Sequence, residues 1–231
     1  MKTKNIFSNV GAGIALAVLV ATSVAQADIV YDNSTGDSNI RLNPGTRQVG
    51  DEIVLAPGAR YLTDFTFQYW GENFLGDEQV RLRFYLNDGV ASPAGPLTPG
   101  TIFYDSGYFD INATPRSTLI FTDFVTGALV AYDNTNSLLP DSFTWSVQFR
   151  GIDVDNGGKA GVDLYDPPTV GTNYLEYWER TGAGWEYRGE TNGTALNFGA
   201  RVGAVPEPST IVLGLIGGLA ALLFRNRFKK A

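Results

Sequence analysis

Residues 143–150 read Phe-Thr-Trp-Ser-Val-Gln-Phe-Arg, and their alternation decides the fold. Phe143, Trp145, Val147 and Phe149 fall on one side of an extended chain, and Thr144, Ser146, Gln148 and Arg150 on the other. Successive side chains of a strand point to opposite faces, so this pattern puts one face in a core and the other toward water. The pattern recurs along the chain. In 79–86, Val80, Leu82, Phe84 and Leu86 alternate with Gln79, Arg81, Arg83 and Tyr85. In 61–70, Tyr61, Phe65, Phe67 and Tyr69 share a face, and in 195–202 Leu196, Phe198, Ala200 and Val202 do so. Asp28–Asp32 adds a short first strand, followed by a polar stretch to about Gly50.

The connections suit strands. Asn87-Asp88-Gly89 has hairpin-turn chemistry. Ser92 to Gly100 contains three prolines and two glycines and reads as a loop. Thr181-Gly-Ala-Gly184 joins 174–180 to 185–189 as a hairpin. Helical periodicity is absent from residues 28–204. About ten short strands with short turns predict an all-β fold: an antiparallel two-sheet β-sandwich, jelly-roll-like, with a closed barrel as the competing architecture.

Composition removes whole classes of chemistry. The 231 residues contain no cysteine and no histidine. Disulfide frameworks, Ser-His-Asp and Cys-His catalysis and His-bearing zinc sites are therefore excluded. Residues 28–204 carry 11 basic and 23 acidic side chains, a net charge of −12, which repels nucleic acid and anionic lipid.

Both ends carry addresses. Lys2 and Lys4, the apolar run from Gly11 to Ala21 and the small residues Ala25 and Ala27 form a signal peptide over 1–27, with cleavage by signal peptidase before Asp28. A helical signal segment is expected there. At the other end, residues 205–231 begin with Pro206-Glu207-Pro208, continue through the uncharged run Ser209–Phe224, and finish with Arg225, Arg227, Lys229 and Lys230. The 14 residues from Ile211 to Phe224 span roughly 21 Å as a helix, short of a hydrocarbon core of about 30 Å. Basic residues at both termini stay on the cytoplasmic side, which puts residues 28–204 between them on the periplasmic side. The prolines fix φ and remove two backbone donors, so the stretch before the apolar run stays extended and open to a protease.

Val205-Pro-Glu-Pro-Ser209, the apolar segment and the Arg-containing end together resemble the PEP-CTERM sorting signal. The resemblance implies export and transient anchoring in the inner membrane. It also implies cleavage near the motif by a protease or transpeptidase of the exosortase type, then transfer to the cell surface or extracellular matrix. Members are typical of Gram-negative bacteria that make exopolysaccharide and biofilms. Leu164–Gly171, Tyr177-Trp178 and Asn197–Arg201 resemble the end of the exported domain in many such proteins, a domain type with no assigned activity.

Within residues 28–204 the candidates for chemistry are few. Asp153-Val-Asp155-Asn156-Gly157-Gly158 resembles a calcium loop, but Gly157 and Leu164 stand where an EF-hand needs an oxygen ligand and a glutamate. Asp153 and Asp155 serve equally as turn residues. Trp178, Trp185 and Tyr187 on the expected hairpin could stack on sugar rings, with exopolysaccharide as partner, or simply pack in a core. Pairs such as Glu176 and Glu179, or Asp77 and Glu78, have no spacing that selects them for glycoside hydrolysis. Asn33, Asn112 and Asn192 each open an N-x-[ST] sequence, which Asn-rich loops produce by chance. The expectation is a non-enzymatic exported surface or matrix protein. A carbohydrate-binding module, calcium-assisted or without cofactor, is the alternative.

Overall fold

A computed structural model describes residues 27–92, 96–122, 124, 138–189 and 193–206. The expected signal helix over 1–27, apart from Ala27, and the expected C-terminal apolar helix lie outside these residues. Among the described residues the strands are β1 (Asp28–Asn33), β2 (Asp37–Leu42), β3 (Gln48–Val54), β4 (Tyr61–Glu72), β5 (Gln79–Tyr85), β6 (Ile102–Asp110), β7 (Thr114–Phe121), β8 (Ser142–Arg150), β9 (Lys159–Tyr165), β10 (Thr172–Asn173), β11 (Tyr177–Thr181), β12 (Gly184–Arg188) and β13 (Ala200–Val205). One turn of 3-10 helix, Val154–Asn156, accompanies them.

The strands form two antiparallel sheets. The first runs β1-β13-β4-β9-β2, with β7 also paired to β4. The second runs β12-β11-β3-β8-β5-β6, with β10 on β3. The alternating residues of the sequence line the space between them. Val80, Leu82 and Phe84 of β5 and Phe143, Trp145, Val147 and Phe149 of β8 are fully buried. Across the gap, Phe65 of β4 meets Phe84 edge-on at 4.8 Å and Trp145 at 5.2 Å, and Phe67 lies 5.7 Å from Trp145. Such offset and edge-on ring pairs add roughly 0.5–1.5 kcal/mol each beyond their area burial.

Three readings of the sequence need correction. The polar stretch before Gly50 contains β2 and the first residues of β3. Strand β3 (QVGDEIV) hides from a periodicity count because its inward residues are Val49, Asp51 and Ile53, with a carboxylate in the middle. In β4, Leu62 is buried and Tyr61 is not; the pairing with β13 slips between Gly203 and Ala204, so the inward phase of Tyr61 differs from that of Phe65. Asn87-Asp88-Gly89 is not a tight hairpin turn. The chain leaves β5 through a longer loop in which the Leu86 N–H donates to the Thr101 carbonyl and the Gly89 N–H to the Thr98 carbonyl. The Asp88 carboxylate accepts from the N–H and hydroxyl of Thr101. The Thr181–Gly184 hairpin is present, with Thr181 opposite Gly184 and Gly184 at φ 124°, a conformation glycine adopts without penalty.

Asp51 reaches from β3 of one sheet across to the other. Its Oδ2 accepts the Phe198 N–H at 2.9 Å, where β9 and β13 diverge along one edge of β4. Asn33 supports the same fork, donating to the carbonyls of Tyr165 and Phe198. Burial pushes the Asp51 carboxyl well above the ordinary carboxylate range, and the bond from Phe198 only partly opposes this.

Candidate functional site

The first site is the junction where the folded domain hands the chain to its tail. β13 lies between β1 and β4, and Ala204 is buried and pairs with both Asp28 and Leu62. Val205 closes the ladder opposite Tyr61, and exposed Pro206 leaves it. Proline has no N–H to extend a ladder, so the sheet stops where the motif begins. Because Asp28 and Ala204 are antiparallel partners, the chain enters and leaves the sandwich at the same end. Glu207, Pro208 and the basic residues Arg225, Arg227, Lys229 and Lys230 lie outside the described residues, as does Ala25. Among the described residues no helix is long and apolar enough to cross a membrane.

The second site is the outer face of the second sheet. The sequence assigns this face to water, yet Thr144, Ser146, Gln48, Glu52 and Tyr85 on it are buried. The cover is the β11–β12 hairpin. Trp185 of β12 contacts Tyr85 of β5 edge-on at 5.4 Å, although β11, β3 and β8 separate the two strands. A flat sheet would hold them about 19 Å apart at roughly 4.8 Å per strand, so the sheet curls strongly around this face. Gly50 makes room beneath the hairpin: a Cβ there would come within 2.9 Å of Thr144 and of the Trp145 carbonyl.

The three aromatic candidates separate in this setting. Trp178 is fully buried, paired opposite Gly50 and packed on Tyr187 at 4.6 Å, so it is a core ring and offers no face to a sugar. Of the two readings open for Trp178, core packing holds and its place as a glycan-binding candidate falls, with the curled sheet as the cause. Trp185 and Tyr187 are half-buried. The Tyr187 hydroxyl donates to Glu176 at 3.2 Å, and burial, with the Glu176 charge, raises its pKa.

Behind them sits a polar network that periodicity gave no reason to expect. Asn87 donates to Glu52 Oε1 at 2.8 Å and accepts from Thr144 at 2.8 Å. Gln48 donates to Tyr85 and Ser146 and accepts from Arg83 at 3.2 Å. Burial lifts Glu52 to about 7, partly offset by the Trp178 indole. A carboxyl whose folded pKa is raised favours the fold while protonated, so its stabilisation is complete below the unfolded value and is lost as pH rises through the folded one. Glu52→Gln keeps an acceptor for Asn87 without the charge. We expect the wild type to lose on the order of 2 kcal/mol between pH 5 and pH 8 through this group, and the variant to lose less, as read from urea midpoints at the two pH values. Equal slopes for the two proteins would remove Glu52 as the cause.

The remaining candidates resolve into local structure. Asp153 accepts from the Asn156 N–H at 3.2 Å and from its side-chain amide at 2.6 Å, and Gly157 closes the turn in a left-handed conformation. Asp155 lies inside the same turn. Among the described residues no group of three or more acidic side chains is arranged to hold a metal ion. Glu176 and Glu179 do not converge: Glu176 serves Tyr187, while Glu179 takes Arg47 at 2.9 Å and Arg188 at 3.4 Å. Glu78 accepts the N–H groups of Leu75 and Gly76.

Fold and junction together define an all-β domain whose last strand runs directly into a proline-bounded, basic-ended tail. The tail matches the family model of the PEP-CTERM protein-sorting motif over residues 204–227. The chain carries that motif, which marks an exported protein, anchored in a membrane before cleavage and processed by exosortase, a membrane transpeptidase. No curated protein and no solved structure matches the chain.

Proposed function

We propose that the chain is a non-enzymatic protein of the cell surface or extracellular matrix, including biofilm matrix, delivered by its two termini. Signal peptidase removes residues 1–27, and a jelly-roll-like domain over 28–204 stands on the periplasmic side of the inner membrane. Residues 205–231 hold it there until exosortase cuts at the Pro206-Glu207-Pro208 motif. The match over residues 204–227 carries this reading. The pairing of Asp28 with Ala204 supports it, because both membrane-directed segments leave one end of the sandwich and neither must cross the domain to reach the bilayer. Intact-mass measurement of the mature surface protein tests it. The expected mass begins at Asp28 and lacks the apolar and basic residues of the tail. A mass corresponding to residues 1–231 or 28–231 overturns it.

A second reading, a carbohydrate-binding module directed to exopolysaccharide, is favoured by one observation. The curled hairpin leaves Trp185 and Tyr187 half-exposed, and Arg180, which lies over the Trp185 ring, lines an open polar groove. Calcium assistance would require Asp153 to give up its bonds to Asn156.

A further inference from the structure

At the open end of the curled face lies a groove of about 430 Å³, lined entirely by hydrogen-bonding side chains and by no carboxylate. Arg47 of the loop before β3, Arg83 of β5 and Arg180 of β11 converge on it, with Thr46 and Gln148 between them. Two of the guanidiniums are fixed from behind. Arg47 is held by Glu179 at 2.9 Å and by the Pro44 carbonyl at 3.2 Å. Arg83 is held by Asp105 at 3.1 Å and by the side-chain Oε1 of buried Gln48 at 3.2 Å. The third, Arg180, is exposed, lies over the Trp185 ring at 5.7 Å, and has no carboxylate partner among the described residues.

The local charge balance is opposite to that of the domain. Asp105 is shared by Arg81 and Arg83, and Glu179 by Arg47 and Arg188, which also pairs with Glu186. With Arg180, five guanidiniums meet three carboxylates here, in a domain of net charge −12 with 11 basic side chains. Guanidinium forks fit carboxylate oxygens in bidentate geometry, and pre-positioned forks lose little entropy on binding. The Thr46 hydroxyl and the Gln148 amide suit sugar hydroxyls, and Trp185 supplies an apolar ring at the rim.

We propose that this groove binds a carboxylate-bearing sugar unit of an acidic polysaccharide, with its carboxylate on Arg180 and Arg83 and its hydroxyls on Gln148 and Thr46. This deepens the carbohydrate-binding reading and is independent of sorting. Affinity electrophoresis of the mature surface protein in gels containing polygalacturonate, dextran or polyglutamate tests it. Polygalacturonate should retard the protein, less so as salt is added, while dextran and polyglutamate should not. Arg180→Gln and Thr46→Glu, both at exposed positions, should each weaken retardation at least about tenfold. Arg201→Gln, an equal charge change in the first sheet, should leave it unchanged. Retardation by dextran alone would overturn this site while leaving glycan binding intact, and no retardation by either polysaccharide would remove both readings. Equal retardation by polyglutamate would make the groove an acidic-peptide site and overturn the proposal, as would an unweakened Arg180→Gln.

Discussion

Alanine at Pro206, Glu207 and Pro208 together should leave the exported chain uncut and retained at the membrane. The effect is expected to be all-or-none, because the substitution removes both the geometry and the charge that a sorting enzyme could read. β13 delivers the chain at Val205 in extended form, and Pro206 ends the ladder because it has no N–H to donate. Two prolines fix φ and lack N–H donors, which disfavours both a continued ladder and a helix through the motif. Alanine is the strongest helix former, and three of them beside an apolar run would let that run extend back toward the domain. Reach tightens the constraint. From Val205 to Ile211 the extended chain covers at most about 20 Å, so the enzyme must work close to the end of the sandwich where Asp28 also lies. Intact mass and membrane fractionation read the outcome. Normal mass and normal release from the alanine variant would show that the motif is not the processing signal.

Trp145→Ala should cost about 3–5 kcal/mol of folding stability, the range for truncating a buried large aromatic. Trp145 is fully buried on β8 and touches Phe65 at 5.2 Å and Phe67 at 5.7 Å in the opposite sheet. It also meets Phe198 nearly perpendicular at 5.7 Å, beside the fork pinned by Asp51. Losing the ring opens a cavity at the point where both sheets and the fork meet, and Phe65 and Phe67 are held in place by the pairing of β4 with β13 and β7. For a domain of this size the melting temperature should fall by roughly 6–20 °C. Trp145→Phe is a contrasting case. The indole N–H has no acceptor among the described residues, so phenylalanine keeps most of the ring and removes an unsatisfied donor. It should cost under about 1.5 kcal/mol. Denaturant unfolding of both variants checks the pair, and a loss below about 1 kcal/mol for alanine would show that the core does not depend on this ring.

Legibility followed the physics of each segment. β5 and β8 could be read because their inward residues are all apolar, and every one of them proved buried. β3 could not, because Asp51 interrupts the pattern and Gly50 leaves a gap in it. The groove arginines were only partly visible: Arg83 stood on the polar face of β5, but nothing local ties it to Arg47 or Arg180. The choice between core ring and sugar platform at Trp178 stayed open in the sequence because exposure on a hairpin depends on which way the sheet curls, and curvature is not a property of five residues.

The sequence by itself determined the all-β class, the proline stop after Val205 and the sorting motif, because strand alternation, missing N–H groups and the order of charge and apolar residues are local properties. Only the tertiary structure decided that Asp28 pairs with Ala204, that Asp51 crosses between the sheets, and that three arginines from separate segments share one groove. Each of these joins residues distant in the chain, and their meeting depends on sheet order, register and curl, which arise from packing the whole domain at once.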